Sequence, residues 1–284
     1  MASIHEVTPA AVLRQVEWTV LRRLDGALQG DFATLFRGEG IDFQELREYV
    51  PGDDLRRIDW NVTARMDTLY VRDYAEDRDL SAWLLLDRSS SMAFGPSARG
   101  KDAVLIELVA CFAHIFGRGG NRVGAIIYDD GPLATIPPRS GRVQSLRLIH
   151  EVMARAPHSQ ATTDLAALLR SAVGVIRQRS LVIVVSDFIS GPGWKKPLRQ
   201  LAERHDVVAI QITDPLESEL PDVGVISLQD NETGEQILVD TSDKEFRRRM
   251  RELAAQGQQA LVAGVRSAGI TLHTIATDEA LGTA

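Results

Sequence analysis

The sequence has little cysteine, no long apolar run and no excess of positive charge. Cys111 is the one cysteine among 284 residues, which excludes a disulfide framework and fits a reducing compartment. No apolar stretch approaches the roughly 18 residues of a membrane span, and residues 1–20 lack the apolar core of a signal peptide. The formal net charge of −7 argues against nucleic acid or an anionic membrane as the main partner. We therefore expect a cytoplasmic protein.

From residue 80 onward, short apolar runs alternate with amphipathic helical patterns. Continuous apolar runs of this length are typical of strands that are buried on both faces, and they lie at residues 82–86, 123–128 and 181–185; residues 207–212 are predicted as another buried strand and residues 270–275 as the final strand. Alternating strands and helices predict an α/β fold with a doubly wound, mostly parallel sheet. Residues 133–136 follow a tight turn and precede Pro137 and Pro138, which predicts an antiparallel strand at the sheet edge.

The same patterns predict how the chain is divided. Residues 1–79 are interpreted as an N-terminal extension packed on the main domain, which covers residues 80–284 and carries a hairpin insertion near 216–240. Within the extension, the charged segment Asp53–Asp59 next to Trp60 is either an ion-paired layer packed on aromatic rings or a solvated surface loop. Ser242 and Glu245 have the spacing of a capping box, which predicts a helix beginning at Ser242.

Oxygen-bearing side chains follow two of the predicted strands. Asp87, Ser89 and Ser91 come directly after the first strand, and Asp187 follows the run at residues 181–185. Thr162 or Thr163 stands at the start of the helix before that run. Because the C-terminal ends of parallel strands lie along one sheet edge, we expect these residues to converge. Carboxylate and hydroxyl oxygens suit a hard cation such as Mg²⁺.

These residues resemble a known arrangement. Asp87-x-Ser89-x-Ser91, Thr163 and Asp187 are similar to the metal-ion-dependent adhesion site of von Willebrand factor A-type domains, although Ala161 and Thr162 stand where that family often has glycines. Over residues 20–275, the chain also resembles the bacterial domain-of-unknown-function family fifty-eight, whose members carry such domains. The motif that carries this second resemblance is Tyr49-Val50-Pro51-Gly52-Asp53-Asp54-Leu55-Arg56-Arg57-Ile58-Asp59-Trp60, followed by Ala64-Arg65.

The resemblance implies a six-stranded, Rossmann-type sheet of the von Willebrand factor A kind, with residues 133–136 as its antiparallel edge strand. It also implies a non-catalytic, Mg²⁺-dependent adaptor, with Mn²⁺ or Ca²⁺ as alternative ions. Asp87, Ser89, Ser91, Thr163 and Asp187 would form the metal site. The implied partners are a MoxR-type AAA+ ATPase, a client protein that offers an acidic side chain, or both.

Two other interpretations of the loop remain open at this point. Asp87 could be the nucleophile of a metal-assisted phosphoesterase, but Asp87-Arg88-Ser89 lacks the second aspartate that such sites commonly use. No histidine stands at a predicted strand end near the site, and His158 comes closest. In the other interpretation, the serines simply cap a turn and bind no metal.

Overall fold

The structure is a computed structural model that describes residues 8–13, 45–51, 58–66, 68–73, 81–93, 99–118, 120–129, 133–155, 163–229 and 236–279. Contacts within the chain divide it into two units. One unit comprises residues 25–80, and the other comprises residues 1–24 together with 81–284. The division after residue 80 lies beside the predicted boundary after residue 79, and the first 24 residues group with the larger unit.

The smaller unit contains two short strands and a helix. Strand β1 (Glu45–Glu48) pairs antiparallel with β2 (Tyr70–Asp73), and helix α1 spans Trp60–Met66. The Asp59 carboxylate accepts a hydrogen bond from the backbone N–H of Val62 in the first turn of α1. The Trp60 side chain is 66% exposed, so it is not the buried support that the ion-paired interpretation required. Residues 52–57 of that predicted layer lie outside the described residues.

The larger unit contains the alternating elements that the sequence predicted. Its strands are β3 (Ser81–Asp87), β4 (Arg122–Tyr128), β5 (Ala134–Arg139), β6 (Leu181–Ser186), β7 (Asp206–Thr213), β8 (Val225–Gln229), β9 (Gln236–Asp240) and β10 (Thr271–Ala276). Its helices are α2 (Lys101–Arg118), α3 (Arg142–Ala154), α4 (Leu165–Val175), α5 (Lys195–Ala202), α6 (Pro215–Ser218) and α7 (Lys244–Ser267).

Six of these strands form one sheet in the order β10–β7–β6–β3–β4–β5. Neighbouring strands are parallel except for β5, which pairs antiparallel with β4 at the edge. The predicted mixed sheet and its antiparallel edge strand are therefore confirmed. The edge strand extends further than predicted, however, because it includes Pro137 and Pro138 instead of ending before them. A residue without an N–H is tolerated there, since an edge strand pairs on one side only.

Helices cover both faces of the sheet, which explains why the interior positions of its central strands are apolar on both sides. On one face, Trp83 and Leu85 of β3 lie in a core with residues of α4, α5 and α7. Because side chains alternate along a strand, the intervening Leu84 and Leu86 point to the opposite face; all four side chains are buried. Among the described residues, no helix combines the length and apolar character that crossing a membrane would require.

The edge strand approaches its neighbour closely at Gly124. A β-carbon placed at this glycine would lie 2.8 Å from the Ile136 carbonyl oxygen and 2.9 Å from the Pro138 nitrogen. The pairing of β4 with β5 also shifts register between Val123 and Ala125. A residue without a side chain is therefore required where the irregular edge strand crosses this position.

The segment after β7 contains a β-hairpin in the region where the insertion was predicted. Strands β8 and β9 pair antiparallel as a separate two-stranded sheet. The predicted capping box at Ser242 is wrong by one residue, because the Asp243 carboxylate accepts hydrogen bonds from the N–H groups of Glu245 and Phe246. The Ser242 hydroxyl instead bonds to Asp240. An aspartate at the helix start satisfies the same free N–H groups and also complements the helix dipole.

Candidate metal-binding site

Asp87 is the last residue of β3, and its carboxylate links the loops that follow two neighbouring strands. One oxygen, Oδ1, accepts a hydrogen bond from the Ser89 N–H at 3.0 Å, which closes a local turn. The other, Oδ2, accepts from the Ser186 hydroxyl at 2.6 Å. Because β3 and β6 are parallel neighbours, Ser186 and the adjacent Asp187 end at the same edge as Asp87. The predicted convergence of Asp87 and Asp187 is therefore present.

The two serines of the loop present their hydroxyl groups side by side. A single turn of 3-10 helix spans Ser90–Ala93, and the Met92 N–H donates to the Ser89 carbonyl oxygen at 3.0 Å. This turn places Ser89 Oγ 3.0 Å from Ser91 Oγ. Both side chains are buried. Their alternate spacing in the sequence therefore becomes a pair of adjacent oxygen donors.

The loop after β6 has a constrained backbone. Phe188 has a φ of 60°, a left-handed conformation that costs a residue with a β-carbon on the order of 1 kcal/mol. Its N–H donates to Ser186 Oγ at 2.8 Å, and the Ile189 N–H donates to Asp187 Oδ1 at 2.9 Å. The Phe188 ring also packs edge-on against Trp194, with 5.9 Å between centroids. Hydrogen bonds and packing thus hold Asp187 in one orientation.

Thr163 lies against this same loop. Its carbonyl oxygen accepts hydrogen bonds from the Ser190 hydroxyl at 2.9 Å and from the Gly191 N–H, and Thr163 is buried. The next residue, Asp164, caps α4 by accepting from the Ala167 N–H at 2.9 Å. Thr163 therefore stands just before the helix, as predicted. Thr162 lies outside the described residues.

The start of α2 connects the site to its surroundings through residues that the sequence analysis did not identify. Lys101 has no exposed surface, and its Nζ donates to Asp187 Oδ2 at 2.7 Å. The same ammonium pairs with Glu217 in α6, which follows β7. The neighbouring Asp102 pairs with the buried Arg88 guanidinium at 2.8 Å. One end of α2 therefore contacts the loops after β3, β6 and β7.

One sequence signal could have identified Lys101. A lysine at the first position of a helix places a positive charge at the positive end of the helix dipole, where acidic residues are favoured. The helix that follows is largely apolar and gives no local reason for this choice. An unfavourable local charge of this kind indicates a partner elsewhere in the fold, here Asp187, which is 86 positions away in the chain.

Two buried aspartates and one buried lysine set the charge of the site. The pKa of Asp87 is raised from 3.8 to about 6, chiefly by burial and then by the nearby Asp187 carboxylate, while hydrogen bonds from Ser186 and Ser89 oppose the rise. Burial alone would lower the pKa of Lys101, but Asp187 and Glu217 raise it above its ordinary value. Lys101 is therefore charged at neutral pH.

The residues present fit a hard divalent cation. Among the described residues, no group of three or more histidine, cysteine, aspartate or glutamate side chains is placed to hold a metal, so a metal here would need the hydroxyl groups. Ser89 and Ser91 supply adjacent hydroxyl oxygens. The buried carboxylates of Asp87 and Asp187 supply negative charge and repel each other. Mg²⁺ prefers such oxygen donors, and its charge would favour the ionised Asp87 carboxylate, which burial and then repulsion from Asp187 disfavour. Metal binding by the five residues stays a prediction.

Comparison with known proteins identifies the family. The profile of the DUF58 family, described as proteins of unknown function, matches residues 45–260. The chain belongs to this family. It is also 36% identical over 272 residues to the protein Rv1480 of Mycobacterium tuberculosis, a match that spans 95% of this chain and 85% of that protein.

Solved structures resemble the chain at low sequence identity. BatB from Bacteroides thetaiotaomicron matches with a TM-score of 0.48 and 16% identity, covering 70% of this chain and 91% of that one. A von Willebrand factor type A protein from Catenulispora acidiphila matches with a TM-score of 0.34 and 12% identity, covering 51% and 35%. Similarity at this level says nothing about activity or partners. The six-stranded, mostly parallel sheet with a single antiparallel edge strand is the architecture that the resemblance to von Willebrand factor A-type domains implied.

Proposed function

We propose that this DUF58 protein is a non-catalytic, Mg²⁺-dependent adaptor that binds another protein through the site at the ends of β3 and β6. The observation that carries the proposal is the burial of the Asp87 and Asp187 carboxylates at neighbouring strand ends beside the adjacent Ser89 and Ser91 hydroxyl groups. Lys101 compensates Asp187, whereas Asp87 accepts hydrogen bonds from the neutral Ser89 N–H and Ser186 hydroxyl, and burying its charge is costly. A cation that binds beside Asp87 would offset this cost.

The family resemblance implies how the ligands would divide their roles. In such sites the two serines and the threonine usually hold the ion directly, and we assign this role to the hydroxyl groups of Ser89, Ser91 and Thr163, with Mn²⁺ or Ca²⁺ as alternatives to Mg²⁺. The carboxylate oxygens of Asp87 and Asp187 already accept protein hydrogen bonds, so we assign them mainly to charge compensation. Neutral direct ligands leave the ion with much of its charge. An acidic side chain of a partner protein is the chemistry that such an ion attracts.

The same hydrogen bonds disfavour a phosphoesterase. A nucleophilic carboxylate needs an accessible oxygen, whereas Asp87 is fully buried and both of its oxygens accept hydrogen bonds. Its carboxylate is therefore better suited to fixing the loop than to attacking a phosphorus atom. We expect no turnover of a generic phosphoester such as p-nitrophenyl phosphate. Turnover that disappears in Asp87→Ala would favour the enzyme instead.

The nature of the partner follows from the family resemblance. We propose a MoxR-type AAA+ ATPase, or a client of that ATPase, and a role in assembling or remodelling a complex. The net charge of −7 disfavours nucleic acid as the partner. The single cysteine is buried within α2, which is compatible with the proposed cytoplasmic location.

Titration calorimetry with Mg²⁺ and Mn²⁺ tests the metal site. We expect saturable binding of one ion per chain, with dissociation constants up to the millimolar range, and loss of binding in Asp87→Ala and Asp187→Ala. Asp206→Ala is a matched control because Asp206 stands at the N-terminal end of β7, whereas the site lies at the C-terminal strand ends. There Asp206 pairs with the exposed Arg179. Equal heats for the wild type and the two site variants would contradict the proposal.

Affinity capture with the tagged protein tests the partner. The experiment compares the wild type with Asp187→Ala, each in Mg²⁺ and in EDTA, and identifies the captured proteins by mass spectrometry. We expect the wild type to retain an AAA+ ATPase or its client in Mg²⁺ but not in EDTA. Retention of the same protein in EDTA, or by the variant, would show that its binding does not need the metal.

A further inference from the structure

The buried lysine at the start of α2 places a permanent positive charge beside the proposed metal site. We propose that Lys101 is an internal cation that competes with the metal for Asp187 and thereby lowers the metal affinity of the free protein. This inference rests on the proposed function and concerns the regulation of the same site. Lys101 is a positioning residue in this scheme, because it acts through Asp187.

The contacts of Lys101 hold its charge in place. Its Nζ lies 2.7 Å from Asp187 Oδ2 and also pairs with Glu217 Oε1. The other oxygen of Glu217 accepts from the Asp214 N–H as part of a capping box at the start of α6. Asp214 is in turn fixed by the Thr277 hydroxyl, which donates to its Oδ2 at 2.7 Å. The ammonium is therefore part of a continuous network and does not swing freely.

This network changes the charge that a metal ion would meet. Lys101 neutralises Asp187, so the wild-type site offers an incoming cation the charge of Asp87 and the hydroxyl oxygens of Ser89 and Ser91. The ion is also repelled by the ammonium itself. A unit charge close to a bound ion in a partly buried site changes the dissociation constant of that ion by more than about tenfold. A partner carboxylate would restore the missing negative charge, so metal and partner are expected to bind cooperatively.

The competition predicts opposite effects for the two residues of the Lys101–Glu217 pair. Lys101→Met removes the positive charge and should tighten Mn²⁺ binding about tenfold or more. Glu217→Gln removes a compensating negative charge and leaves Lys101 to pair with Asp187 alone, so it should weaken Mn²⁺ binding about threefold or more. A purely structural lysine predicts the reverse for Lys101→Met, since a misplaced Asp187 would bind metal less well.

Calorimetric titration of the full chain with MnCl₂ at pH 8 separates these outcomes. Arg179→Met is the control, because it removes an exposed positive charge at the opposite sheet edge, and its affinity should stay within twofold of the wild type. Near-ultraviolet circular dichroism checks that each variant is folded. Unchanged or weaker binding in a folded Lys101→Met variant would overturn the inference. If that variant does not fold, unchanged or tighter binding in Glu217→Gln overturns it.

The same titrations distinguish this inference from the proposed function. Wild-type binding that depends on Asp87, together with no tightening in Lys101→Met, leaves the metal site intact and overturns the competition alone. Binding by Lys101→Met, but not by the wild type up to millimolar Mn²⁺, supports the competition and shows that the wild-type site needs its partner to hold the ion. Absence of binding in the wild type, in Lys101→Met and in Glu217→Gln overturns both proposals.

Discussion

Replacing Asp87 with asparagine is expected to stabilise the metal-free protein while abolishing metal binding. The buried carboxylate has a pKa of about 6, against an ordinary value of 3.8, so the folded protein binds this proton more tightly than the unfolded chain does. Stability is therefore highest below pH 3.8 with respect to this group, and it is lost as the pH rises through about 6. Asparagine is neutral throughout and avoids this loss.

The size of the effect follows from the two pKa values. Their difference, at about 1.4 kcal/mol per pKa unit, corresponds to a destabilisation of about 3 kcal/mol at pH 7.5. The Ser186 hydroxyl donates to Asp87 Oδ2 and would lose that acceptor in the variant, at a cost of about 1 kcal/mol. We expect a net gain of about 2 kcal/mol at pH 7.5 and about 0.5 kcal/mol at pH 5, where ionisation of Asp87 in the folded state is incomplete.

Urea unfolding in EDTA, followed by tryptophan fluorescence, measures this difference. Trp83 and Trp194 lie in the core of the larger unit and report on its unfolding. Wild type and Asp87→Asn are compared at both pH values, and Asp206→Asn serves as the control because Asp206 is exposed. In the same assay, Mg²⁺ should raise the stability of the wild type and leave that of Asp87→Asn unchanged.

Two results would refute this reasoning. If Asp87→Asn destabilised the metal-free protein equally at pH 7.5 and pH 5, the hydrogen bonds of Asp87 would matter and its buried charge would not. If Mg²⁺ stabilised Asp87→Asn as much as the wild type, the stabilising ion would bind elsewhere.

Two further predictions concern the fold. Gly124→Ala should lower the unfolding free energy by about 2 kcal/mol, because its β-carbon would lie 2.8 Å from a backbone oxygen of the edge strand. Gly174→Ala, in an open position on α4, should raise the unfolding free energy by about 0.5 to 1 kcal/mol. If urea unfolding showed Gly124→Ala to be as stable as Gly174→Ala or more stable, the close approach at Gly124 would be contradicted. Asp243→Ala should cost about 1 kcal/mol through loss of the α7 cap, and Ser242→Ala should cost clearly less. Thermal unfolding of the two variants decides between the observed and the predicted cap.

The sequence predicted the main sheet well because its strands are recognisable without knowledge of their neighbours. The run that became β3 is buried on both faces and is apolar at every position before Asp87. Strand β1 was missed because Glu45–Glu48 contains one apolar residue, so no periodicity marks it. Its strand character depends on pairing with β2, which is a property of the fold.

The sequence likewise predicted some residues of the candidate site and not others. Asp87, Ser89 and Ser91 are close in the chain, and the strand-end rule was sufficient to bring Asp187 beside them. The position of Lys101 at a helix start indicates a distant partner, but the sequence does not identify Asp187 and Glu217 as its partners, because the ion pair joins three elements that are distant in sequence. The packing of distant segments decides which buried charges pair, and the local spacing of residues does not reveal that packing.

The two prolines of β5 limit how other chains can add to this sheet. An edge strand normally offers free N–H and C=O groups on which a further strand can assemble. Successive N–H groups of a strand point to opposite sides, so Pro137 and Pro138 remove one donor from the open edge of β5 and one from the side that faces β4. The strand at the other edge, Thr271–Ala276, contains no proline and keeps every donor. Recruitment of an extra strand, whether from a partner or in aggregation, is therefore expected at β10 and resisted at β5.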